Sequence, residues 1–132
     1  MRITLVCGLR GCGKSTYVKE HLTDGALAYD MDAIASAFRL RMPHEEYHEA
    51  ARHMANDMLF GWLDNAERYT DEVYVIRTAP RLREVARINP DRVVICQTRY
   101  VVREMDDPDA AAERLEHLRM YCFHNDVPCV VL

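Results

Sequence analysis

Arg2–Thr16 reads RITLVCGLRGCGKST. Its first part, Arg2–Cys7, is a β-branched apolar run with little polar alternation, the pattern of a strand buried on both faces. Gly8-Leu9-Arg10-Gly11-Cys12-Gly13-Lys14-Ser15 then matches GxxxxGK[ST] at every fixed position. Glycines let the backbone turn so that successive N–H groups converge on one oxyanion. A helix starting at the lysine adds its unpaired N–H donors and the positive end of its dipole. Lys14 supplies a mobile cation for β- and γ-phosphates, Ser15 a hydroxyl for Mg²⁺, and Thr16 a hydroxyl within reach of an α-phosphate. The segment therefore predicts a strand, a phosphate-cradling turn and a helix, with ATP and Mg²⁺ as the expected ligands. Cys12 reads as a small residue that fits the turn.

Outward from this stretch, short apolar runs alternate with helical patterns. Ala26–Tyr29, Val73–Ile76, Val93–Cys96 and Val127–Leu132 are the further strand candidates. The first helix runs from Lys14 to about Leu22 and is stopped by Asp24-Gly25; the next is capped by Asp30 or Asp32 and reaches about Arg41, before Pro43. His44–Tyr69 is expected as one amphipathic helix with Tyr47, Ala51, Met54, Met58, Trp62, Ala66 and Tyr69 inward, weakened at Gly61. A helix starts at Pro80 with Leu82, Val85, Ala86 and Ile88 inward, and its Arg81, Arg83 and Arg87 form a solvated face. Gln97–Asp107 reads as a surface loop or short lid. Asp107-Pro108 opens a last helix, to about His124, with Ala111, Leu115, Leu118 and Cys122 inward. Strands alternating with helices predict a three-layer α/β fold with a five-stranded parallel sheet.

The bulk numbers agree with one compact domain, 1–132, of ordinary composition. Net charge is −4 from 17 basic and 21 acidic residues, which argues against a wholesale nucleic-acid or membrane binder. Five cysteines, an odd number without a CxxC pair, are expected as free thiols in a reducing cytoplasm, with Cys7, Cys96 and Cys129 as small buried hydrophobes. No signal peptide or membrane-spanning run is expected.

Asp30-Met31-Asp32 follows the second strand directly, at the sheet edge where open α/β proteins bind ligands. Either aspartate can cap a helix; either can also serve phosphoryl transfer, which needs a carboxylate to organise the metal or to accept the proton of the attacking hydroxyl. The loop with a downstream aspartate resembles the polynucleotide-kinase-like P-loop ATPases and kinases, including small phage and bacterial proteins, and Val73–Pro80 (VYVIRTAP) adds to the likeness. The resemblance implies strand order 2-3-1-4-5 and γ-phosphoryl transfer to a hydroxyl of a nucleoside, nucleotide or polynucleotide 5′ end. It implies that Asp32 is the general base, with a further part in holding Mg²⁺ open to it, and that Arg99 and Arg103 belong to a lid that neutralises the transferred group. Arg77, at the end of the third strand, is a further candidate for the site. Two positions depart from the pattern. Ala35 stands where those kinases place an acceptor-gripping arginine, and the central strands end in Arg77 and Gln97 rather than a Walker B aspartate. A nucleotide-binding or ATPase module without kinase activity is therefore the alternative. A rival from another class is His44-Glu45-Glu46-Tyr47-His48, an HExxH match in which His44 and His48 would hold zinc and Glu45 would act as base.

Overall fold

The computed structural model describes residues 1–41, 48–97 and 107–132. In chain order the elements are β1 (Arg2–Gly8), α1 (Lys14–His21), β2 (Leu27–Asp30), α2 (Met31–Ala37), α3 (Glu49–Ala66), β3 (Glu72–Arg77), α4 (Leu82–Ile88), β4 (Arg92–Cys96), α5 (Pro108–His124) and β5 (Cys129–Val131). The five strands form one sheet in the order β2-β3-β1-β4-β5. Every pairing is parallel, with Leu5 opposite Val75 on one side and Val93 on the other. All carboxyl ends therefore lie on one edge, and the central strand β1 delivers the glycine-rich turn there.

The sheet buries both faces. Leu5, Cys7, Val73, Val75, Val93 and Ile95 point to the face covered by α3, α4 and α5, where Ala55, Leu59, Val85, Leu115 and Leu118 meet them. Val6, Ile76, Val94 and Cys96 point to the other face, where Val18 of α1 and Cys12 of the turn close over them. Tyr29 brings β2 and α3 together: its ring packs on Trp62 at 5.1 Å between centroids, and its buried hydroxyl donates to the Ala55 carbonyl at 2.6 Å. That hydrogen bond satisfies a polar atom that would otherwise be costly to bury, and it fixes the strand whose next residue is Asp30.

Several element boundaries differ from expectation. The helix expected over His44–Tyr69 begins at Glu49 and ends at Ala66, and His48 is its N-cap, its Nδ1 accepting from the Ala51 amide at 3.2 Å. Its inward stripe is Ala51, Ala55, Leu59, Leu63 and Ala66, whereas Met54, Met58 and Tyr69 are exposed. Both stripes have helical spacing. The alanines and leucines win because small side chains let the helix approach the sheet closely, while the flexible methionines lie on the neighbouring face. α2 is capped by Asp30 and ends at Ala37, short of Arg41. In α4 the N-cap is Arg81, one residue after Pro80; Val85 and Ile88 are buried, but Leu82 and Ala86 are exposed. A two-turn helix has room for one narrow inward row, and these two positions fall outside it. α5 keeps its expected inward row of Ala111, Leu115, Leu118 and Cys122 and its Asp107 cap. All five cysteines are free; Cys129 is only half-buried because β5 is a three-residue edge strand, shorter than Val127–Leu132.

Candidate phosphate-binding cleft

The turn after β1 is built by its glycines. Gly8 passes so close to β4 that a Cβ placed on it would lie 2.6 Å from the Cys96 carbonyl oxygen. Gly11 and Gly13 have φ of 86° and 89°, in the left-handed region that other residues rarely adopt. The Gly8 amide donates to the Thr78 carbonyl at 2.9 Å, tying the turn to the end of β3, and the Cys12 amide donates to Leu9 at 3.1 Å. Cys12 is buried beneath the turn, a packing role. Gly13 is the N-cap of α1 and carries no side chain to occupy that helix's first amides. The result is a concave run of N–H groups at a helix start, the arrangement that suits an oxyanion.

Lys14 is buried beneath this cradle. Its Nζ donates to the carbonyls of Gly8 at 2.8 Å and Leu9 at 3.0 Å. Burial pushes its ammonium below the usual lysine range, and the nearby Asp32 carboxylate pulls it partly back. The next residue reaches across to β2: the Ser15 hydroxyl donates to Oδ2 of Asp30 at 3.0 Å. Oδ1 of the same carboxylate accepts from the amides of Asp32 at 3.1 Å and Ala33 at 3.3 Å, capping α2. Asp30 is thus the cap of α2, one of the roles the sequence left open for it, and its other oxygen engages the loop hydroxyl. A serine hydroxyl beside a carboxylate at the rim of a phosphate cradle is a set of hard oxygen donors. That set fits Mg²⁺, which keeps several waters and few protein ligands.

The rim opens into a cleft of about 700 Å³ whose lining includes Arg10, Gly11, Gly13–Thr16, Asp30, Asp32 and Arg77. Thr16, exposed on α1, faces it; Leu9 instead packs against the core. The α2–α3 wall contributes Ala35, Ser36, Arg39 and Arg52, and α5 contributes Ala111 and Arg114. Arg77 reaches the cleft as expected, but it is held between α3 and α4. Its guanidinium donates to Asn56 Oδ1 and, at 2.6 Å, to Glu84 Oε2. Arg81 lines the cleft rather than belonging to a wholly solvated face; Arg83 and Arg87 are exposed, and Arg87 stacks over Phe60 at 3.7 Å. Arg99 and Arg103 lie outside the described residues, as do His44 and Glu45. His48 precedes its helix as the N-cap, so α3 does not give it the helical register on which an HExxH site depends. Among the described residues no group of three His, Cys, Asp or Glu side chains is placed to hold a metal.

Sequence reasoning missed Arg39, Arg52 and Arg114. The signal was available only in part: Arg39 stands seven residues after Asp32 and Arg52 four after His48, both helical spacings, but which helix faces meet at the cleft is a tertiary fact.

A five-stranded parallel sheet in this order, with GxxxxGK[ST] at the carboxyl end of its central strand, is a P-loop NTPase fold. No family model and no curated protein matches the chain. Among solved structures, it is similar to shikimate kinase from Bacteroides thetaiotaomicron, at 13% identity and a TM-score of 0.47 over 98% of this chain and 85% of that one. Among the described residues no helix is long and apolar enough to cross a membrane.

Proposed function

We propose that the protein binds a nucleoside triphosphate with Mg²⁺ and transfers the γ-phosphoryl group to a hydroxyl acceptor. One observation carries this reading. The Gly8–Ser15 cradle, the Ser15–Asp30 pair and Asp32 are gathered at one rim of one cleft. In this reading the turn amides and Lys14 take the β- and γ-phosphates, and the Thr16 hydroxyl takes the α-phosphate. Ser15, with Asp30 behind it, holds the metal, which when bound draws charge from the phosphates. Asp32 orients the acceptor hydroxyl and accepts its proton. The buried ammonium of Lys14 is worth more in this low-dielectric seat than it would be in water.

The alternative is a nucleotide-binding or ATPase module. It is favoured by Arg77 and Gln97, which stand at the ends of β3 and β4 where a metal-organising aspartate is usual. Asp30 at the end of β2 weakens that objection, because it already engages the loop hydroxyl. Incubation with γ-labelled ATP and a panel of hydroxyl acceptors separates the two. Label transferred to an acceptor by the native chain and lost in Asp32→Asn supports the kinase. Label released only as free phosphate, equally in both chains, leaves the ATPase.

A further inference from the structure

The cleft and the rest of the chain have opposite charge. Among its described lining residues stand seven arginines and Lys14 against the carboxylates of Asp30, Asp32, Glu84 and Asp107, a local surplus of four positive charges. The described residues outside this lining carry 7 basic and 13 acidic side chains, a sum of −6. A triphosphate with its magnesium brings roughly −2, about half the magnitude of that surplus. Part of that surplus lies away from the loop. Asp32 and Ser36 stand one turn apart on α2, and Arg39 lies in the turn just beyond its end; all three line the wall of the cleft. Arg52, in the first turns of α3, lines the same wall.

We propose that the acceptor is a small hydroxyl compound bearing a phosphate or carboxylate, its anionic group held by Arg39 and Arg52 while its hydroxyl faces Asp32. This rests on the phosphoryl-transfer reading and narrows it. A polynucleotide end is disfavoured by the same charges. Tracking a polyanion needs cationic groups along the strand, and the described residues outside the cleft are net acidic. A small anion enters the positive cleft entirely and meets none of that repulsion.

The test is calorimetric. The protein is first saturated with a non-hydrolysable ATP analogue and Mg²⁺, then titrated with inorganic phosphate, with malonate, or with a 5′-hydroxyl oligonucleotide of about ten nucleotides. Phosphate or malonate is expected to bind beside the filled loop, and whichever binds tells a phosphate-bearing from a carboxylate-bearing acceptor. That binding is expected to weaken about tenfold in Arg39→Gln and in Arg52→Gln, less in Arg52→Lys, and not at all in Arg83→Gln on the outer face of α4. Thermal midpoints confirm that each variant is folded, and the lysine variant carries the comparison if a glutamine variant is not. The proposal is overturned if neither small anion binds once the loop is filled, if binding ignores both substitutions, or if the oligonucleotide binds more tightly than both. Failure of the analogue itself to bind removes the nucleotide reading, and this inference with it.

Discussion

One carboxylate joins the phosphate turn to the neighbouring strand: Asp30 accepts the Ser15 hydroxyl through Oδ2 and caps α2 through Oδ1. The carboxylate is held at both oxygens, so its position relative to the cradle is set before any ligand arrives. Pre-set oxygen donors spare the reorganisation that flexible ones require at the moment of binding.

The two oxygens can be separated by substitution. Asparagine is as good an N-cap as aspartate, so Asp30→Asn should leave α2 intact and the thermal midpoint within about 2 °C of the native chain. Losing the negative charge should still weaken Mg²⁺-dependent ATP binding about tenfold or more. Asp30→Ala should lose both, with a further cost of about 1 kcal/mol from the missing cap. Calorimetry with and without Mg²⁺, beside thermal unfolding, checks the pair. Mg²⁺-dependent binding left unchanged in Asp30→Asn would mean that the carboxylate is only a cap.

Two glycines should respond with opposite sign. Gly8→Ala drives a methyl to 2.6 Å from a backbone oxygen of β4, which neither strand can yield without disturbing the central pairing. A loss of about 2–3 kcal/mol is expected, as for other overpacked sites. Gly61, mid-way along α3, has nothing within 4 Å of an added methyl. Gly61→Ala should therefore stabilise by about 0.5–1 kcal/mol through helix propensity alone. Urea unfolding of the two variants measures both effects.

How far the sequence could be read follows from which residues set each feature. The turn was legible because its glycines and Lys14 are dictated by backbone geometry and ligand chemistry within eight contiguous positions. The strands were legible because double burial leaves uninterrupted apolar runs such as Val93–Cys96. The phase of α3 was not, since Met54-Met58 and Ala55-Leu59 both repeat at four residues and only the sheet beneath them chooses. The link between Ser15 and Asp30 was half legible. Capping could be expected of Asp30, but a contact across fifteen residues depends on β2 lying two strands from β1 with its end at the same edge. Arg39 and Arg52 carry only a spacing from Asp32 and His48; they matter because both line the same wall of the cleft.

Buried thiols should make the fold sensitive to alkali. Burial pushes Cys122 up to about 12 from an ordinary 9.0, and also raises Cys7, Cys96 and Cys129. In the unfolded chain these thiols ionise as pH passes 9; in the folded chain they stay protonated. The folded state thus binds more protons in that window, so the stability they contribute is fully present below pH 9 and is lost as pH rises toward 12. Lys14 acts oppositely. Its lowered folded value means the unfolded chain holds more protons, so its contribution rises with pH up to the ordinary lysine value. Four thiols outweigh one ammonium, and the urea midpoint should fall between pH 9 and 10.5. Cys122→Ala, less stable at neutral pH, should show a shallower fall. A midpoint that stays flat over this range would contradict the argument.

Two ion pairs of nearly equal length should differ in strength because of where they sit. Arg77 and Glu84 meet at 2.6 Å with side chains 15% and 22% exposed, and Arg119 and Glu116 meet at 2.5 Å with both 54% exposed. Water screens the second pair and competes for its donors, so a double-mutant cycle on Arg119 and Glu116 should give a coupling indistinguishable from zero. The first pair is shielded, and Arg77 is also fixed by Asn56 from α3. Removing either partner leaves a half-buried charge without its counterpart, and the coupling should be about 1–2 kcal/mol. Because Arg77 lines the cleft, Glu84→Gln should also weaken ATP binding modestly by loosening the arginine, whereas Glu116→Gln should leave it unchanged. Equal couplings for the two pairs would show that burial does not govern their strength in this fold.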